Sequence, residues 1–149
     1  MRRLIRFIVR FLIVSALLAA AGHLAARMIE GDAEESDDEF DLAAFWGGRQ
    51  WRSTAAALRR GSVRVILGGV DLDFTDATVD PDGASLDLDV KFGGVKVTVP
   101  PDWRVEVEQD VRGGEVEMDL ADPDTLAEDA PQLTLSVTVR AGGVMVSAS

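Results

Sequence analysis

The sequence predicts an all-β fold: a short single-domain parallel β-solenoid of about four to five coils, preceded by one N-terminal membrane helix. Three observations carry this. A Gly pair set among apolar residues recurs at 47, 68, 93, 113 and 142. Apolar and polar residues alternate on both sides of the pairs, the period of strands with one buried face. The charges of successive copies are also complementary when the copies are aligned on their glycines.

The first element is basic and apolar. Residues 1–29 contain five Arg and no acid. Residues 11–22 run without a charge, and Ser15 is their one polar side chain. A spanning helix needs about 20 apolar residues, so the anchor is residues 7–26, with Arg6, Arg10 and Arg27 snorkelling to the interfaces. The alternative is a cleaved signal peptide with small residues at Ala19, Ala20 and Ala21. In both readings Arg2, Arg3, Arg6 and Arg10 stay inside and the acidic remainder goes out. His23, the one histidine, reads as an interfacial polar residue.

Residues 30–44 read as an acidic linker, since residues 30–41 hold eight acids and no base. A calcium loop of the EF-hand type needs alternating ligands, a turn Gly and a terminal Glu at fixed spacing. That pattern is missing, and a self-repelling spacer remains. The β-domain is assigned to 45–149, with a vestigial first repeat in FDLAAFWGGRQW (40–51).

The fuller repeats are SVRVILGGVDLDF (62–74), SLDLDVKFGGVKVTV (85–99) and LTLSVTVRAGGVMVSA (133–148). WRVEVEQDVRGGEVEMDL (103–120) fits with a slip of one residue. Val63, Val65 and Leu67 share a phase, as do Leu86, Leu88, Val90 and Phe92, and these are expected to point inward. The pairs Gly68/Gly69, Gly93/Gly94, Gly113/Gly114 and Gly142/Gly143 are expected as structural corners, because Gly tolerates φ > 0 and close backbone approach. The alternative fold is an antiparallel β-sandwich of Gly-Gly hairpins. Stacking is favoured by charge register: Arg64 would lie beside Asp89, and Asp71 beside Lys96.

DPDG (80–83), Pro100 with Pro101, and DPD (122–124) mark turns. Asp124 is a potential cap for a helical turn at 125–129. STAAALRR (53–60) reads as a short helix closing the solenoid end. Trp103 reads as a packing residue at a coil edge. The last strand, GGVMVSAS (142–149), has no evident cap and reads as an exposed edge open to β-addition.

The stretch LGGVDLDFTDATVDPDGASLDLDVKFGGVKVTVPPDWRVEV (67–107) resembles the C-terminal domain of LiaF-type proteins, bacterial membrane proteins of the cell-wall-active-antibiotic-response group. The features that carry the resemblance are Gly68, Gly69 and Val70 with Asp71 and Leu72, then Phe92 to Val95, then Val99 and Pro100 followed by Trp103. FWGGRQWRSTAAALRRGS (45–62) resembles the lead-in to that domain. The resemblance implies a β-solenoid-like domain and, in the best-known members, negative regulation of an envelope-stress sensor kinase. Those members carry several membrane helices, whereas this chain has one at most.

Composition excludes several chemistries. Net charge is −11, which disfavours nucleic acid, whose phosphates require a concentrated basic surface. There is no cysteine and no tyrosine, so thiol catalysis and thiolate zinc sites are out. Asp and Glu at every second strand position describe a solvated face. No enzyme activity, cofactor or metal is expected. The best candidate for an interaction patch is Arg49, Arg52, Arg59, Arg60 and Arg64, for anionic lipid or an acidic partner. The expected function is a membrane-tethered regulatory protein of the bacterial envelope stress response that binds the membrane and another envelope protein. By resemblance that protein is a sensor kinase. The alternative is a self-associating envelope scaffold, a homo-oligomer. The expected location is the bacterial cytoplasmic membrane, single pass with the C-terminal domain outside, or secreted after cleavage.

Overall fold

The computed structural model describes residues 33–149; the predicted helix within 1–29, and His23, lie outside the described residues. Among these, ten strands form five consecutive pairs. They are β1 (Glu39–Ala44) with β2 (Gly47–Arg52), β3 (Arg60–Val65) with β4 (Gly68–Asp73), β5 (Ala84–Val90) with β6 (Gly93–Val99), β7 (Arg104–Val111) with β8 (Gly114–Asp119), and β9 (Gln132–Val139) with β10 (Gly142–Ala148). The two strands of a pair do not bond to each other as a hairpin. The odd strands form one five-stranded sheet and the even strands a second. Every strand pairing is parallel. This rules out the antiparallel sandwich, and each strand pair is one coil of a β-solenoid.

Coils do not stack in chain order. The odd sheet runs β1-β3-β5-β9-β7 and the even sheet β2-β4-β6-β10-β8, so the fifth coil lies between the third and the fourth. The predicted open edge at the C-terminus is therefore corrected: β10 is bonded on one side to β6 and on the other to β8. The free edges are β7 and β8 at one end and β1 and β2 at the other. On the odd sheet charge favours this order. Direct stacking of β7 on β5 in the same register would set Glu108 beside Asp87 and Asp110 beside Asp89. In the fold the uncharged Ser136 and Thr138 of β9 stand between them. Like charges directly opposite on neighbouring strands cost a few tenths to about 1 kcal/mol each.

The core is a continuous column between the sheets. Leu72, Val97 and Val146 stack in register on one side, and Leu88 and Val137 on the other; all are buried. Fully burying one such side chain contributes roughly 1.5–3 kcal/mol. At the strand ends far from the corners an aromatic group fills the first coils. Phe40 and Trp51 lie 4.1 Å apart between centroids, Trp51 and Phe74 6.1 Å, and Phe74 and Trp103 6.3 Å. Trp103 is the packing residue its position predicts. Gly61 makes room for this group, because a Cβ there would collide with the Phe40 ring and the Leu86 side chain.

Several local expectations change. Residues 53–60 form no helix. Ala55 and Leu58 are buried, but the backbone bonds sideways to neighbouring coils: Thr54 N–H to Glu35 O, Leu58 N–H to Thr78 O, and Asp80 N–H to Leu58 O, at 2.7, 2.7 and 2.9 Å. Lateral partners satisfy these groups before an i−4 partner can. The acidic linker does not extend to 44, because β1 begins at Glu39 and buries Phe40, Leu42 and Ala44. Even the preceding acidic turn is tied in: Asp38 O accepts the Arg59 N–H at 2.8 Å. The helical turn near 125 is a 3-10 turn at Pro123–Thr125, capped by Asp122 and not Asp124, with Pro123 in the first position that proline favours.

Candidate functional site

The five corners are alike. In each, two residues separate the end of one strand from the Gly that opens the next: 45 and 46, 66 and 67, 91 and 92, 112 and 113, 140 and 141. The opening glycines stack in register as Gly47, Gly68, Gly93, Gly142 and Gly114. All five have positive φ, for example +133° at Gly93 and +136° at Gly142. A Cβ on Gly93 would overlap the Gly68 carbonyl, and one on Gly142 the Gly93 carbonyl. Only Gly combines that φ with so close a stack. In the fourth coil the second glycine of the pair, Gly114, takes this place, which is the one-residue slip read from the sequence. The ladder continues through the bends, with Gly68 N–H to Phe92 O and Gly93 N–H to Ala141 O both at 3.1 Å.

The corner interrupts the strand alternation, and this corrects the assignment of Leu67 and Phe92 to the core. Both project outward, Phe92 at 59% and Leu67 at 42% exposure, and Trp46 joins them at 72%. Val95 is inward, and Lys96 lies outward in register with Asp71. The residue before each glycine thus forms a surface column of Trp46, Leu67, Phe92, Ala141 and Gly113. Behind it runs a second column of Phe45, Ile66, Lys91, Arg140 and Arg112. No acid occurs in either column.

Beside this edge, on the outer face of the even sheet, the second glycines Gly48, Gly69, Gly94 and Gly143 form a floor without side chains. They line an open trough of about 920 Å³ whose far wall includes Gln50, Asp71, Lys96, Met145 and Glu117. From the sequence these glycines read only as corners. The apolar residue before four of the five pairs, Trp46, Leu67, Phe92 and Ala141, is the sequence signal for the surface column.

The five arginines are dispersed. Arg49 occupies an inward phase on β2, in register with Val70. Arg52, on the outer face of the even sheet, meets Asp73 at 3.1 Å and Asp76 at 3.6 Å. Arg59 faces Glu39 at 3.9 Å. Arg60 and Arg64 project from β3 in the odd sheet, and Arg64 lies in register with Asp89. Arg52 and Arg49 therefore belong to one sheet, and Arg60 and Arg64 to the other.

Among the described residues, two carboxylates have shifted affinities for protons. Asp73 is held below its usual value, first by the Thr75 hydroxyl, which donates at 2.6 Å, then by the Thr75 N–H at 3.0 Å, with Arg52 adding to both. Glu117 is raised by a hydrogen bond to Glu115 and by repulsion from it. Among the described residues no three His, Cys, Asp or Glu are placed to hold a metal ion, and no helix is long and apolar enough to cross a membrane. Compared with family models, curated proteins and solved structures, the chain matches none.

Proposed function

We propose that this protein is a membrane-tethered, non-enzymatic interaction module of the bacterial envelope, and that it acts in stress regulation by binding another envelope protein. The observation that carries this reading is the trough on the even sheet. Its floor of Gly48, Gly69, Gly94 and Gly143 lets a partner segment approach the sheet backbone across four strands. Its mixed rim of Asp71, Lys96, Glu117 and Met145 supplies polar and apolar contacts of the kind found at protein interfaces. The β-domain contains no His, Cys or Tyr, which supports recognition over catalysis. The LiaF-type resemblance of 67–107 supports a regulatory role, with a sensor kinase as the partner class.

A second reading, the self-associating scaffold, is favoured by one observation. On the terminal coil the inward residues Val105, Val107, Val111 and Val116 are only partly buried. Head-to-tail stacking in the existing register would, however, bring Glu39 against Glu106 and Asp41 against Glu108. Photo-crosslinking from Gln50 and Met145 in the full chain, in membranes, tests both readings. One adduct with a foreign membrane protein supports the first. A homo-oligomer ladder supports the second and overturns the first.

A further inference from the structure

The corner edge and the opposite side of the solenoid differ in chemistry. The edge carries Trp46, Leu67 and Phe92 in one column and Lys91, Arg140 and Arg112 in the next, with no carboxylate in either. Two of the four connections at the other end of the strands are strongly acidic: Asp76, Asp80 and Asp82 between β4 and β5, and Asp122, Asp124, Glu128 and Asp129 between β8 and β9. Residues 65–149 as a whole hold eighteen acids and five bases, and three of those five bases stand on this edge. None of the three forms an ion pair among the described residues.

Large apolar side chains left exposed in a row on the first three coils, continued along the same edge by unpaired cations on the last three in the stack, are what a bilayer surface selects. Trp, Phe and Leu enter the headgroup and acyl boundary, and Lys and Arg meet the phosphates. We infer that the corner edge is a seat for an anionic phospholipid surface, with Trp46, Leu67 and Phe92 inserted and Lys91, Arg112 and Arg140 on the headgroups. Each cation near an anionic leaflet contributes on the order of a few-fold in affinity. With five strands about 4.8 Å apart, the edge is about 19 Å long, and its flat, regular repeat suits a planar target better than a pocketed one. The acidic connections then face away from the lipid, which keeps a strongly acidic domain from being repelled. The trough lies just beside the seated edge, within reach of the membrane-proximal part of a partner.

The inference does not depend on the proposed partner.

The test uses the full chain reconstituted into vesicles of phosphatidylcholine alone or with phosphatidylglycerol, with brominated acyl chains as the depth probe. Trp51 and Trp103 are buried at 6% exposure each, so Trp46 is the tryptophan that lipid can reach. Quenching is expected in the anionic vesicles and severalfold weaker in the neutral ones. It should vanish in Trp46→Phe. It should fall on the order of ten-fold in a Lys91→Gln, Arg112→Gln, Arg140→Gln variant whose circular dichroism is unchanged, while flotation with the vesicles persists through the anchor. The inference is overturned if Trp46 stays accessible to aqueous acrylamide in anionic vesicles, whether or not the chain floats. It is equally overturned if quenching is the same in both lipids or survives in Trp46→Phe. The neutral-versus-anionic comparison needs no variant, so the result stands even if the triple substitution perturbs folding.

Discussion

The fourth and fifth coils share one motif and differ in every environment. β9 and β10 of the fifth coil are bonded on both sides, and Leu133, Leu135, Val137, Val139, Val144 and Val146 are buried. β7 and β8 of the fourth coil are bonded on one side only. Gln109 occupies the inward phase there, in register with Val137, and Met118 is 51% exposed. Outward, β9 shows Thr134, Ser136 and Thr138, whereas β7 shows Glu106, Glu108 and Asp110. A coil with hydroxyls outside and aliphatic residues inside tolerates neighbours on both faces. A coil with carboxylates outside and a polar residue inside tolerates one, so the fourth coil is the cap. Terminal repeats of solenoids need such a polar outer face, and charged edge strands resist unwanted pairing.

The largest effect should come from removing one coil or the other. Deleting residues 132–149 takes out the fifth coil, uncovers β5 and β6 and leaves the fourth coil without a neighbour. We expect loss of the cooperative thermal transition by circular dichroism. Deleting 104–131, which joins Trp103 to Gln132, removes the fourth coil. Because Arg104 and Gln132 are register partners on adjacent strands, the splice asks β9 only to follow β6 directly, and a cooperative transition should remain. The reverse outcome would break the comparison.

A smaller contrast is expected from single side chains. Val137→Ala, in a site with 2% exposure, should cost on the order of 2 kcal/mol, the usual scale for deleting buried methyl groups. Val107→Ala, half-buried on the cap, should cost less than about 1 kcal/mol. Urea midpoints at unchanged m-value measure both. Equal costs would mean that the cap is as well covered as the interior.

The smallest effect is electrostatic and confined to the cap. Glu117 takes up its proton at a raised pH in the folded state because of Glu115. Its favourable contribution is therefore fully present below the usual Glu value of 4.5 and is lost as pH rises through the raised value. Amide protection in β8 should decline over that window, and Glu115→Gln should remove the decline. Asp73 has the opposite sign. Its contribution is present above the usual Asp value of 3.8 and is lost only as pH falls through the lowered one, so it does not obscure the test.

Much of this fold was legible because the repeat is written in residues whose physics is local. Val and Leu at every second position state which face is buried, and a Gly before a strand states a corner. The charge pairs Arg64 with Asp89 and Asp71 with Lys96 were enough to choose parallel stacking, and both are in register. Leu67 and Phe92 depart from the expected inward phase because strand alternation does not carry through a two-residue bend. The expected helix at 53–60 does not form: alanines favour helix in isolation, while Ala55 and Leu58 here are buried along a side of the coil. Of the candidate surface, the arginines are a cluster in sequence, but Arg52 lies on β2 and Arg64 on β3, strands of different sheets.

What the sequence determined by itself is the coil: strand, glycine corner, strand, with the aliphatic residues inside. Each of those choices depends on backbone geometry and on one residue's neighbours along the chain. What the tertiary structure decided is the order of the coils and the surface that the order creates. A strand can pair with any copy that shares its period, so local pattern cannot say whether coil four or coil five meets coil three. That choice falls to contacts between residues far apart in sequence, of which Asp87 beside Ser136 in place of Glu108 is one. The same stacking brings Trp46, Leu67 and Phe92 into one column, which no single repeat contains.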